Sequence, residues 1–289
     1  MTQQEPKRIK SLRTAIVKAL PRFPNDKASK QALEQKSLGG LLVAFFNWRM
    51  RFVNQGSRSV RIRDSIKQDQ RWPRLQADIE AFVKKVENGD DLTPNLSLGA
   101  RREGYTLRAE RAGTASDRWA DKDFLLNVME FHHFHLSTNM EKGGFVTRTD
   151  EVLFAHVTRS NFDALGIYDH SVFDDDTTKT MTPERERLWT LHEEVLTEGL
   201  PPGSFVVGNM ISASGHSTWI VMHAQFCAKQ IAKIDPQLDD RELLERTLYR
   251  AAHVSVPKKP KLRWAFKHLD LYLCDDSEQM AFLIRRGPY

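Results

Sequence analysis

Half of the ten histidines fall in one stretch, FHHFHLSTNMEKGGFVTRTDEVLFAHVTRSNFDALGIYDHSVF, at residues 131–173. Imidazole is the side chain whose charge changes near neutral pH, so proton transfer is first sought where histidines are this dense. Phe131–Ser137, Glu151–Val157 and Phe162–His170 are rich in β-branched, aromatic and leucine residues. They are separated by Gly143-Gly144 and by the polar break Thr158-Arg159-Ser160-Asn161, which predicts a three-stranded antiparallel meander. Strand alternation places His133 and His135 on one face and Phe134 and Leu136 on the other, with His132 beside them. In the third run it separates Leu165 and Ile167 from Tyr168 and His170, and the expectation is that Tyr168 and His170 share an open face.

Arg148, at the turn entering the second strand, is placed to hold a phosphate through two parallel hydrogen bonds, although an ordinary turn arginine paired with Asp150 would look the same. With His133 or His135 as base, His170 or Tyr168 as acid and Arg148 on the phosphate, the set describes a metal-independent ribonuclease that needs no cofactor. Histidines at i and i+2 can also reach one metal ion, but no carboxylate sits at a spacing that completes a hydrolytic site. A His-ligated metal hydrolase therefore ranks below the metal-free reading, and partly buried histidines satisfied by carbonyl groups would give the same pattern.

Two other clusters carry possible chemistry. Ser214, Gly215 and His216, within SASGHS between an expected strand and an expected helix, suit an anion-binding loop or simply a helix cap. The loop has neither the Walker pattern nor G-x-S-x-G. Arg49, Arg51, Arg58, Arg61 and Arg63, interleaved with Phe52 and Trp72, suit either a nucleic-acid backbone or a solvated face. They support an alternative function, a non-catalytic nucleic-acid- or protein-binding component of a bacterial defence or mobile-element system.

The elements that must position these residues form an α+β pattern: a helical N-terminal region, the antiparallel meander flanked by helices, and a C-terminal β hairpin. Helices are predicted over residues 5–20, from about Ser29 to Phe52, and over Pro73–Glu87 with Gly89 as its stop. Val60–Ile66 reads equally as a strand or a helix entrance. Asp90–Trp119 reads as a linker, giving a helical, basic region 1–115 and an α+β domain 116–289. A helix over Pro183–Glu198 opens with Thr182 as cap, Ser204–Ile211 reads as a strand, and helices run to Ile234 and over Leu243–His253. The hairpin is Leu262–Cys274 with Met280–Arg285.

The 289 residues are 40% hydrophobic with a formal charge of +5, enough apolar content for a sizeable core and a permissive balance for an acidic partner. No run approaches a membrane span, and MTQQEPKRIK has no apolar signal segment, so a cytoplasmic protein without membrane contact is expected. Cys227 and Cys274 are too few for a disulfide framework and read as buried thiols.

The segments LLVAFFNWRMRFV, ENGDDLTPNLS, FHHFHLS, TRTDEVLFAHV and IYDHSVF, in this order, resemble a widespread bacterial protein family over roughly residues 38–230. More distantly, a helix ahead of an Arg-led strand and an aromatic-His strand is similar to the small RelE-like ribonuclease toxins. That resemblance implies cleavage of RNA without metal in toxin or phage-defence biology, with Arg148 on the phosphate, His170 near the end of the third strand, and an antitoxin or partner subunit.

Overall fold

The computed structural model describes residues 5–106, 116–174 and 180–288, with residues 116–122 described by backbone only. The expected boundary near residue 115 lies outside them. In chain order the elements are α1 (Lys7–Ala19), α2 (Lys27–Gln35), α3 (Leu38–Arg49), β1 (Ser59–Ile62), α4 (Asp64–Lys67), α5 (Trp72–Asn88), α6 (Leu98–Arg102), α7 (Ser116–Met129) and β2 (Phe131–His135). There follow β3 (Glu151–Val157), β4 (Asn161–Asp169), α8 (Pro183–Thr197), α9 (Thr218–Ile234), α10 (Arg241–Leu244), β5 (Leu262–Lys267), β6 (Asp270–Asp275) and β7 (Met280–Arg285). The class is α+β, as the patterning predicts.

The chain forms two compact units, each discontinuous in sequence. One holds residues up to 50, residues 104–106 and residues 219–288; the other holds residues 51–103 and the described part of 116–218. Residues 51–103, expected with the helical N-terminal region, thus share a core with the histidine-bearing sheet. Leu75, Ile79, Phe82 and Val86 of α5 pack on Phe134, Leu153, Phe162 and Ile167. Apolar side chains spaced three and four apart on a helix cannot stay in water when a sheet face of the same kind is at hand.

In the first unit, α1, α2, α3, α9 and α10 accompany the three-stranded antiparallel sheet β5-β6-β7. The expected helix from Ser29 to Phe52 is two helices: Ser37 starts the second by accepting the Gly40 N–H at 3.1 Å. Gly39 permits close packing, since a Cβ there would lie 2.5 Å from Gln225 Oε1. Phe46 sets its edge 5.0 Å from the Phe266 ring. The buried Asp235 carboxylate accepts from Trp264 Nε1 at 2.8 Å and Arg8 Nε at 2.9 Å. The expected hairpin is a three-stranded meander, because the chain reverses at His268-Leu269 within the run Leu262–Cys274; His268 takes φ 54° there. Leu243–His253 is only briefly α-helical and continues as a π turn over Glu245–Tyr249. Cys227 is buried, which pushes its thiol up to about 12, and Cys274 is half-buried.

The second unit is built on a four-stranded sheet of order β1-β4-β3-β2. Strands β2, β3 and β4 form the predicted antiparallel meander, and β1 adds to β4 in parallel, which the sequence left undecided between strand and helix. Both occur there, β1 and then the single turn α4. Ser204–Ile211 is not a strand: only Ile211 pairs, with Ser217. Much of the expected linker is structural, since Leu92, Leu96 and Ala100 join the core and Asn95 donates to the His135 carbonyl at 2.7 Å. Thr182 caps α8 as expected, accepting from Arg185 N at 3.2 Å.

Both faces of this sheet are covered. One packs on α5; the other carries Phe131, Val152, Phe154, Leu165, Tyr168 and Val172 against Leu125 and Met129 of α7 and Leu188 and Leu191 of α8. A bulge between Phe154 and Ala155 pairs them with Gly166 and Ala164, so Leu165 points to the same side as Tyr168, against the simple alternation. Gly166 leaves the Tyr168 ring its place, because a Cβ there would lie 2.7 Å from Tyr168 Cε2. Gly166→Ala is expected to cost about 1–3 kcal/mol through overpacking, read as a lower thermal midpoint by circular dichroism. An unchanged midpoint would show that the ring has room to move.

Candidate functional site

Three elements converge at one end of this sheet. His135 ends β2, His170 follows the last residue of β4, and Arg148 to Asp150 lead into β3. The antiparallel register puts His135 opposite Val152 and Val152 opposite Tyr168, so the meander itself draws these ends together. Asp169 then turns the chain: its carboxylate accepts from Ser171 N at 2.8 Å and starts the 3-10 turn His170–Phe173.

His170 stacks on His135 with ring centroids 5.5 Å apart and planes 23° apart. Arg148 Nε donates to His170 Nε2 at 3.2 Å, and His170 Nδ1 donates to the Asp150 carbonyl at 2.8 Å. The Thr149 N–H donates to His135 Nδ1 at 3.4 Å. A carbonyl only accepts and a guanidinium N–H only donates, so the two contacts on His170 assign its neutral tautomer, whereas His135 Nδ1 lies 3.4 Å from both the Thr149 amide and Thr149 Oγ1. His170 carries its proton on Nδ1 and keeps its Nε2 lone pair, to which Arg148 donates. Three consecutive residues, Arg148-Thr149-Asp150, set both rings. Phe173 touches two of the histidines, its centroid 4.8 Å from His133 and 6.1 Å from His170.

The positions differ in access. Arg148 is exposed, His133 and His170 are half-buried, and His135 keeps only 4% of its surface. Beneath His133 lies a cavity of about 30 Å³, bordered by Arg51, Asp123, His132 and Phe131, with room for a water but not for a substrate.

Tyr168 does not join the group. It was expected on an open face, but that face is covered by α7 and α8, leaving Tyr168 1% exposed. Burial pushes its phenol above the ordinary range, and the Arg187 guanidinium lies 4.0 Å over its ring. Arg148 is not paired with the Asp150 carboxylate; it is the Asp150 carbonyl that serves the site, through His170.

The arginines expected to track a nucleic-acid backbone are engaged within the protein. Arg58, 8% exposed, donates to the carbonyls of Thr158, Gly56 and Asn54 at 2.7–2.8 Å and so holds the loop before β1. Arg51, 6% exposed, forms a fork with Asp123 at 2.8 and 2.5 Å. Arg61 and Arg63 share Asp163 and Glu198, two positive and two negative groups. Arg49 belongs to the other unit, 5.5 Å over the Trp48 ring, where burial lowers its pKa from the usual arginine value. A continuous basic strip does not form from these residues.

Hydrogen bonds to Arg61 and then Arg63 hold the Glu198 carboxyl at about 2, below its ordinary 4.5. A carboxylate depressed on folding contributes stability that is present above the unfolded pKa and lost as pH falls through the folded one. Glu198→Gln is therefore expected to lower the thermal midpoint above pH 5, with the gap to wild type closing between about 4.5 and 2. Solvent screening keeps the effect below about 1 kcal/mol, and a gap that widened with acid would refute the pairing.

The loop before α9 closes on itself. Ser212 N donates to the His216 carbonyl at 2.9 Å, Gly215 N to the Ser212 carbonyl at 2.8 Å, and His216 Nδ1 meets Ser214 Oγ at 2.9 Å. Two of the amides an anion would need are spent in the turn, and Gly215, at φ 79°, supplies the reversal.

The sequence analysis missed Thr149 and Phe173 and named Asp150 only as a carboxylate partner for Arg148, because a backbone amide, an apolar ring and a backbone carbonyl have no distinguishing residue-type signal. Among the described residues no three His, Cys, Asp or Glu side chains converge as metal ligands, and no helix is long and apolar enough to cross a membrane. No protein-family model matches the chain, and no curated protein and no solved structure matches it.

Proposed function

We propose that this protein is a metal-independent ribonuclease that cleaves RNA phosphodiesters in the cytoplasm, with its site at Arg148, His170 and His133. The observation that carries the reading is the pair of contacts on His170: Nδ1 is committed to the Asp150 carbonyl, and Nε2, the lone pair a general base needs, lies beside the exposed Arg148. A phosphate drawing Arg148 onto its oxygens uncovers that lone pair.

In this reaction the 2′-hydroxyl proton passes to His170 Nε2 and the 2′-oxygen attacks phosphorus. The P–O5′ bond breaks, leaving a 2′,3′-cyclic phosphate, and the departing 5′-oxygen takes a proton from the His133 imidazolium. The half-buried His133 suits that role better than His135, which keeps only 4% of its surface and so is less accessible to a departing oxygen. His135 positions His170 by stacking. These roles reverse the expectation of His133 or His135 as base and His170 as acid, and the His170 tautomer is the reason.

The test is incubation of the purified chain with total RNA, with and without EDTA, followed by end analysis. Fragments ending in 2′,3′-cyclic phosphate in both arms support the reading. Cleavage lost in EDTA, or an intact folded protein that leaves RNA whole, overturns it.

A further inference from the structure

The arginines of residues 49–63 are engaged within the protein, whereas the first unit carries basic side chains that are not. A groove of about 630 Å³ runs between α1 and α2, lined by Lys10, Arg13, Thr14, Val17, Lys18 and Arg22 from α1 and its C-terminal extension, with Glu5, Lys30 and Glu34 at its sides. Its volume is that of a small-molecule site, yet seven of the nine residues that border it are charged and five of those are basic, with their apolar stems making up much of the wall, so an extended anionic chain suits it.

The charges do not cancel. Arg13 pairs with Glu5 at 3.4 Å and Lys30 with Glu34 at 3.7 Å. Arg13 also donates to the carbonyls of Glu34 and Lys36 at 2.8 and 2.7 Å, which ties α1 to the end of α2 and makes the groove a built feature. Lys10, Lys18 and Arg22 remain. Lys10 and Lys18 are exposed and meet no carboxylate among the described residues, and Arg22 donates only to neutral groups, the Val17 carbonyl at 3.1 Å and Asn25 Oδ1 at 2.8 Å. Three positive charges without a counterion along one concave face match a phosphate backbone.

Phe23, next in the chain to Arg22, is 41% exposed. Phe23 does not line the groove, but an exposed aromatic that follows its last basic residue in the chain suits single-stranded nucleic acid, charge taking the phosphates and the ring a base, better than an acidic polypeptide.

We infer that the groove between α1 and α2 is a sequence-tolerant binding site for single-stranded RNA, engaging phosphates through Lys10, Lys18 and Arg22 and a base through Phe23. The choice of RNA rests on the ribonuclease reading; the groove's affinity for a polyanion does not. The site is separate from the histidine cluster in residues and in role, so binding and cleavage can be read apart.

The test uses the full chain carrying His170→Ala, so that RNA stays intact, and fluorescence anisotropy of a labelled mixed-sequence 20-nucleotide RNA from 50 to 300 mM KCl. Lys10→Glu with Lys18→Glu is expected to weaken binding at least tenfold and to reduce the slope of log affinity against log salt by about 1.4, the contribution of two single-strand phosphate contacts. Phe23→Ala is expected to weaken it at least fivefold with the slope unchanged, as loss of stacking does. The control reverses Lys84 and Lys259, two exposed lysines elsewhere, and is expected to keep most of the affinity. Equal losses in groove and control variants, or no binding by the parent protein, would overturn the site. Displacement by polyglutamate as effective as by RNA, with Phe23→Ala silent, would overturn the RNA assignment in favour of an acidic polypeptide. Cleavage assays on the same charge variants with His170 restored, using a dinucleotide, should match wild type; unchanged dinucleotide cleavage with lost RNA binding distinguishes failure of the groove from failure of the ribonuclease reading.

Discussion

His170→Ala is expected to lower RNA cleavage by roughly 10³-fold while leaving the fold intact, since a positioned general base contributes about 10²–10⁴. The side chain is half-buried and sits in a 3-10 turn capped by Asp169, so its truncation removes ring contacts with His135 and Phe173 and two hydrogen bonds at the edge of the sheet. His170→Gln keeps a polar side chain but has no basic lone pair, and it should be as inactive as alanine. Arg148→Ala should act differently, raising KM with a smaller loss in kcat, because its contact is with phosphate in ground and transition states alike. Rates are to be measured on a short RNA with one ribonucleotide linkage, beside a thermal melt of each variant. A His170→Ala protein that melts like wild type and cleaves within threefold of it would remove His170 from the chemistry and the proposed function with it.

The second large effect is on stability. Asp123→Ala is expected to cost about 3–5 kcal/mol, the range for stranding one member of a buried ion pair. Arg51 is 6% exposed, and its fork to Asp123 joins the chain entering the second unit to α7. Its third contact, with the Glu103 carbonyl, cannot neutralise the charge left behind. Against a total stability of about 5–15 kcal/mol, such a loss is close to unfolding. Urea titration would show the midpoint falling with the slope unchanged. Arg61→Ala provides the contrast: it is 56% exposed and shares its partners with Arg63, so a change under about 1 kcal/mol is expected. If the two substitutions cost the same, burial is not what gives the Arg51–Asp123 pair its weight.

How much of this was legible in the residues can be followed position by position. The meander was, because alternation and its breaks report a half-buried strand directly, and α5 was, because Leu75, Ile79, Phe82 and Val86 keep helical spacing up to Gly89, which adopts φ 77°. The reversal inside Leu262–Cys274 was hidden, since His268-Leu269 is not a glycine-bearing turn. At the site, the types and the order of His133, His135, Arg148 and His170 were present in the chain. Their assembly was not.

By itself, then, the sequence determined which segments alternate and which carry titratable side chains, because periodicity and residue type are local. Only the tertiary structure decided which of those side chains meet. A bulge at Leu165 turned that side chain to the side of Tyr168, the covering helices α7 and α8 put Tyr168 in the core, and the register of the meander brought His135 against His170. Long-range pairing consumed Arg51, Arg58, Arg61 and Arg63 on carboxylates and carbonyls distant in the chain, and left Lys10 and Lys18, no different in composition, facing water. Charge is a property of the residue; whether it is available to a partner depends on what folding brings within a few ångströms of it.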